Sequence, residues 1–183
     1  MNKQSRKSFE LREWNKTDVP SLAKHLNNKK IWDNCRDALP YPYTEKDAEQ
    51  FIGFVLDQKE QENYCVEING EAVGNIGFTR SKDVERYNAE LGYWLAEPYW
   101  NQGIMSQAIT VAVEEYFLHT DTMRVFAHVY ANNPASMKVL ENVGFTKCGI
   151  FRKACFKNGQ FVDCHCYELL SLYNIATPPK VSL

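Results

Sequence analysis

No stretch of this 183-residue chain approaches the roughly 18 consecutive apolar residues that a membrane-spanning helix needs, so no membrane association is expected. Basic residues are not in excess either. Lys and Arg number 21 against 23 Asp and Glu, a formal net charge of -2, which leaves no electropositive footprint for nucleic acid. Residues 1–8 carry Lys3, Arg6 and Lys7 but lack the apolar stretch of a signal peptide, so a cytoplasmic, reducing compartment is expected. The six cysteines are accordingly read as thiols and not as a disulfide framework. Cys164-His165-Cys166 lacks the Cys-x2-4-Cys spacing and the second ligand pair of a zinc site. Strand alternation would put both sulfurs on one face and His165 on the other, so these are read as core cysteines and no metal is expected. Repeats and low-complexity tracts are also lacking. With 44% hydrophobic residues, the chain is long enough to bury one continuous core without a second domain.

What is present is an alternation of helical and strand patterns. Residues 9–14 read as a first strand, followed by helical segments over 18–26 and 44–57, the second with Thr44 as N-cap. Pro40 and Pro42 forbid a helix between them. Three strands follow over 63–68, 71–79 and 87–95, the first two joined by an Asn69-Gly70 turn. A long helix over 101–118, a strand over 124–130 and a short helix over 133–143 come next. A closing hairpin, 146–156 and 160–170, turns about Lys157-Asn158-Gly159, and Thr177-Pro178-Pro179 reads as a frayed end.

Two segments carry chemistry. Residues 89–108 read as a strand stopped by Pro98, then a glycine turn at Gly103, then a helix whose Ile104, Ala108, Val111, Ala112 and Tyr116 recur at helical spacing. A helix start leaves about four backbone N–H groups unpartnered beside the positive end of the dipole, so a phosphorylated ligand is expected there. Residues 132–145 read as a short helix with Asn133 as N-cap, Pro134 at the first position and Gly144 as the stop.

Together with Leu39-Pro-Tyr-Pro-Tyr-Thr44, Ala89-Glu-Leu-Gly-Tyr-Trp-Leu95, Gln102-Gly-Ile-Met-Ser-Gln-Ala108 and Glu141-Asn-Val-Gly-Phe145, these segments make the chain resemble the GNAT N-acetyltransferase superfamily. Within it, the resemblance is to the ribosomal-protein N-terminal acetyltransferases, and it covers about residues 9–170. The resemblance implies an α/β (α+β) GNAT fold, a mixed, mostly antiparallel central sheet of about seven strands flanked by helices. It implies one domain over 9–170, between tails at 1–8 and 171–183. It implies acetyl-coenzyme A as donor, with its pyrophosphate on the backbone of Gln102, Gly103, Ile104, Met105 and Ser106. The pantetheine would run between splayed strands beside Trp94, Leu95 and Asn133. Glu90 would be the catalytic base and Ser136 the acid near the sulfur, with Trp32, Tyr41 and Tyr43 bordering the acceptor cleft.

Two departures from the family pattern matter. Trp100 and Met105 replace the polar and small residues of the glycine loop, which backbone donors tolerate if Met105 points away. Leu140 stands where many members place the tyrosine that protonates the departing thiolate, so that role must move. The acceptor amine stays open. An α-amine near pKa 7.8 is about 15% neutral at pH 7, which costs about 1 kcal/mol, whereas a lysine near 10.4 costs about 4 to 5 kcal/mol. A protein or peptide N-terminus is therefore the leading acceptor. A polyamine or aminoglycoside, or a coenzyme A-binding regulator without turnover, are the alternatives, acting as monomer or homodimer.

Overall fold

A computed structural model describes residues 8–172, so the readings made for residues 1–7 and 173–183 fall outside the described residues. Strand β1 (Glu10–Arg12) leads to helices α1 (Val19–Leu26), α2 (Lys29–Trp32) and α3 (Glu45–Leu56). Strands β2 (Asn63–Ile68), β3 (Glu71–Arg80) and β4 (Asn88–Leu95) form a meander. Helix α4 (Ile104–His119), strand β5 (Arg124–Tyr130), helix α5 (Pro134–Val143) and strands β6 (Thr146–Lys157) and β7 (Gln160–Leu170) complete the chain.

Local chemistry accounts for the boundaries. Thr44 caps α3 through a capping box in which its hydroxyl accepts from the Asp47 N–H and the Asp47 carboxylate accepts from the Thr44 N–H. Asn69 and Gly70, at φ 54° and 81°, make the two-residue turn between β2 and β3. Helix α4 begins at Ile104 and not at 101, because Asn101 and Gly103 take φ of 58° and 73°, left-handed values that cannot continue a helix. The first strand is shorter than its pattern suggests, and the four-residue α2 lies in a stretch with no legible periodicity.

The seven strands form one sheet in the order β1-β2-β3-β4-β5-β7-β6, antiparallel except for β4 beside β5. One face buries Ile76, Phe78, Leu91, Leu95, Val125 and Val129 against α4 and α5. The other face carries a second core in which Trp14, Leu22, Tyr43, Ala48 and Ile52 pack with Cys65 and Ala72. Trp94 and Trp100 touch both cores. Cys164 and Cys166 stand opposite Tyr130 and His128 on β5 while His165 stands opposite Val129, the alternation read from the sequence. All six cysteines are thiols.

Candidate active site

The site is built where β4 and β5 part. Their parallel pairing runs through Asn88↔Arg124, Ala89↔Val125 and Glu90↔Phe126 and then stops, although both strands continue, to Leu95 and Tyr130. On its other side β4 stays paired with β3 up to Leu95. The Ala96 N–H donates to Val73 O at 2.7 Å, so two-residue alternation turns the Trp94 amide toward β3 and those of Tyr93 and Leu95 toward the gap. The Trp94 N–H therefore belongs to the sheet, which corrects its expected place beside the pantetheine, and the Leu95 N–H faces the gap.

Helix α4 starts beside the end of β4. Gly103 is its N-cap at φ 73° with no side-chain cap, and the first ladder bond runs from Gln107 N–H to Gly103 O at 3.2 Å. The amides of Ile104, Met105 and Ser106 are left as donors at the positive end of a 16-residue helix. The Ile104 and Met105 side chains are buried in the first core, so Met105 does not obstruct the turn. Gln102 ties its amide to Pro98 O at 2.9 Å, and the Trp100 indole donates to Leu95 O at 2.6 Å, which fastens the loop to the end of β4. A strand gap leading to a row of helix-start amides suits a long ligand with phosphates at one end.

Two polar groups approach this gap from opposite faces of the sheet. On the α5 side, the Tyr93 hydroxyl lies 2.7 Å from Ser136 Oγ and donates to Ser136 O at 3.1 Å. Asn133 caps α5 by accepting from the Ser136 N–H at 3.1 Å, which fixes that serine in the first turn. Burial pushes the Tyr93 phenol up, against a smaller pull from Ser136, so Tyr93 stays protonated. Leu140 is fully buried in the core and takes no part.

On the other face, Glu90 Oε1 accepts from His128 Nδ1 at 3.0 Å and is ion-paired with Arg36. Burial alone would raise the Glu90 carboxyl, but hydrogen bonds and charge from Arg36 and His128 outweigh it and hold it below its ordinary range. Since a carboxylate only accepts, His128 Nδ1 is the donor in this contact, and in the neutral ring Nε2 carries the lone pair.

Arg36 belongs to the connection from α2 to α3, which carries the aromatic residues read as acceptor contacts. Trp32 donates through its indole to Leu39 O at 2.8 Å and packs on Tyr41 with ring centroids 5.6 Å apart. Tyr41 is 43% exposed and can meet an acceptor. Tyr43 cannot: at 5% exposure its ring fills the second core beneath α1 and α3, so its expected contact with the acceptor is corrected. The connection is held from across the sheet by Lys157, whose Nζ sits 2.7 Å from Asp37 and 3.5 Å from the centre of the Trp32 ring. Sequence reading missed Arg36, Tyr93 and His128. Only the alternation of Glu90 and His128 along neighbouring strands could have hinted at their contact.

The sequence matches the Acetyltransferase (GNAT) domain family over residues 8–146. The chain belongs to the GNAT acetyltransferase family. Among relatives of this GNAT chain, the SPbeta prophage-derived N-acetyltransferase YokL of Bacillus subtilis is 30% identical over 135 residues, covering 73% of this chain and 75% of YokL. Ribosomal-protein-serine acetyltransferase of Escherichia coli is 27% identical over 166 residues, 87% of this chain and 91% of its own length. Among solved structures, the ribosomal L7/L12 alpha-N-protein acetyltransferase RimL in its apo form superposes with a TM-score of 0.75 at 25% identity, covering 90% and 91% of the two chains. The same enzyme with coenzyme A gives 0.78 at 24%, covering 89% of this chain and 94% of RimL. This GNAT chain is thus an acetyl-coenzyme A-dependent N-acetyltransferase. Among the described residues, no helix is long and apolar enough to cross a membrane, and no three His, Cys, Asp or Glu side chains are grouped to hold a metal ion.

Proposed function

We propose that the acceptor is the α-amine of a peptide or protein N-terminus, acetylated at the gap between β4 and β5. The observation that carries this reading is the Glu90–His128 contact at 3.0 Å. An imidazole base is matched to an α-ammonium near pKa 7.8 far better than to a lysine near 10.4, about 2.6 units further from reach. The names of two relatives, which act on a ribosomal-protein serine and on the α-amine of ribosomal L7/L12, support the same choice.

Each residue then has one task. The amides of Gln102 through Ser106 hold phosphates, and the Leu95 amide and Asn133 line the path of the pantetheine. Acetyl-coenzyme A supplies the reactive thioester. His128 Nε2 takes the proton of the attacking amine, while Glu90, a weak base because it is held ionised, orients the ring and attracts the ammonium. From the opposite face, Ser136 returns a proton to the departing sulfur. Tyr93, kept protonated, donates to Ser136 O and holds the serine hydroxyl 2.7 Å from its own oxygen, which positions Ser136 for that step. Trp32 and Tyr41 border the acceptor.

Mass spectrometry on a short peptide bearing a free N-terminus and one internal lysine tests the reading. Acetyl groups are expected on the α-amine alone, and none on a peptide whose N-terminus is blocked. Modification of the lysine only, or turnover of spermidine or an aminoglycoside with far higher kcat/KM than any peptide, would replace it with the small-amine or lysine alternative.

A further inference from the structure

The acceptor side of the gap holds one carboxylate and a permanent cation. Arg36 reaches Glu90 with its guanidinium, and the two side chains are 70% and 20% exposed. The other titratable side chains that bear on Arg36 are Tyr130 and Cys155, a phenol and a thiol and not carboxylates. The neighbouring carboxylates are committed elsewhere. Asp37 pairs with Lys157 at 2.7 Å, and Asp33 pairs with Lys29 at 2.6 Å and accepts from Asn158 at 2.9 Å. Arg36 is also held in place. Its connection is pinned by the Lys157 contacts with Asp37 and Trp32 and by the Tyr130 hydroxyl, which donates to Cys35 O at 3.3 Å.

An α-ammonium arriving at Glu90 changes this balance. One carboxylate then faces two full cations, and the guanidinium loses part or all of the counter-charge that Glu90 gives it. A guanidinium that is 70% exposed stays hydrated when its partner turns to the ammonium, so a second anion there gains what an exposed ion pair is worth and no more. A guanidinium is also suited to take it, because its planar fork receives a carboxylate through two parallel hydrogen bonds.

We infer that Arg36 is a specificity-determining residue and that the preferred acceptors are N-termini with Asp or Glu as the second residue, whose side chain takes Arg36 while the α-amine takes Glu90. This deepens the α-amine reading and rests on it. The spacing agrees. Two cations sharing one carboxylate sit about two hydrogen bonds of ~2.8 Å apart. One residue of extended chain spans about 3.5 Å, so a side chain on the second residue reaches the far side of the guanidinium.

The test uses three peptides that differ only at the second residue, Asp, Gln or Lys, with acetyl-coenzyme A and the full chain. An exposed ion pair is worth up to about fivefold in affinity, and exchange of Asp for Lys adds a like-charge penalty. A kcat/KM ratio of about fivefold or more for Asp over Lys is therefore expected. Arg36→Gln should bring the ratio close to one, and Arg36→Glu should reverse it. Equal rates on all three peptides, or a preference that survives Arg36→Gln, would overturn the inference while leaving the α-amine reading intact. A general fall in acceptor KM for all three peptides in Arg36→Gln would also overturn it, by making Arg36 a plug and not a recognition group. Absence of α-amine acetylation on every peptide, with turnover of spermidine, would remove the reading beneath it and the inference with it. Arg36 is largely exposed, and matching circular dichroism and melting curves would show that the variants fold.

Discussion

His128 Nδ1 lies 3.0 Å from Glu90 Oε1, and the pairing of their two strands ends at Glu90 and Phe126, so this contact spans the point where the sheet opens. Removing the imidazole should therefore remove the base. For His128→Ala a fall in kcat of about 10² is expected, with coenzyme A affinity unchanged; Glu90→Gln, which leaves an imidazole in place but poorly oriented, should lose less, about tenfold. The His128→Ala deficit should shrink between pH 6 and 9, because the amine's own neutral fraction rises and less help is needed. Rates measured across that range decide the matter, and a deficit constant with pH would make the pair structural.

The α4 start gives a separate prediction about the donor. Gly103 holds φ 73°, and a Cβ there would meet only Gln107 Nε2 at 3.6 Å, an ordinary contact. The difficulty for a substituent is thus the dihedral and not crowding by protein. Gly103→Val should keep the fold but shift the turn, pull the Ile104 to Ser106 amides out of line and weaken coenzyme A binding at least about tenfold. Calorimetry on the folded variant reads this directly, and unchanged affinity would place the phosphates elsewhere.

Much of this was legible in the sequence because it rests on short-range chemistry. The Thr44 and Asn133 caps, the Asn69-Gly70 turn and the alternating β5 and β7 depend on residues a few positions apart. Arg36 and Glu90 are 54 positions apart, and Tyr93 and Ser136 are 43 apart, so their contacts exist only once the sheet and helices have packed. Tyr43 misled for the opposite reason. It sits two residues from the exposed Tyr41 in one aromatic run, and a pattern of residue types does not say which ring turns inward.

Packing at the end of β4 yields a stability prediction with a functional consequence. A Cβ on Gly74 would come within 2.7 Å of Trp94 O, 3.2 Å of Leu95 Cδ1 and 3.3 Å of Val66 Cβ. The first of these is main chain and cannot rotate away, so β3 and β4 must separate locally. Gly74→Ala should cost about 1 to 3 kcal/mol in a urea titration. It should also weaken coenzyme A binding, because the displaced segment carries the Leu95 amide at the gap. Wild-type stability would mean that the two strands can move apart without strain.

The hydroxyl pair at the other face sets the last prediction. Ser136 and Tyr93 stand 2.7 Å apart, and the phenol is kept protonated by burial, so it is a donor and not an acid in its own right. If Tyr93 works only through Ser136, the two substitutions must not add. Ser136→Ala is expected to lower kcat about 10²-fold and Tyr93→Phe about tenfold, while the double variant should be no slower than Ser136→Ala alone. Coenzyme A affinity should hold in all three, since the phosphate and pantetheine contacts are untouched. Replacing the α-amine acceptor with a better nucleophile leaves the thiolate step unchanged, so the Ser136→Ala deficit should persist there while the His128→Ala deficit narrows. Full additivity in the double variant, or a Ser136→Ala enzyme at wild-type rate, would return the protonation of the sulfur to solvent.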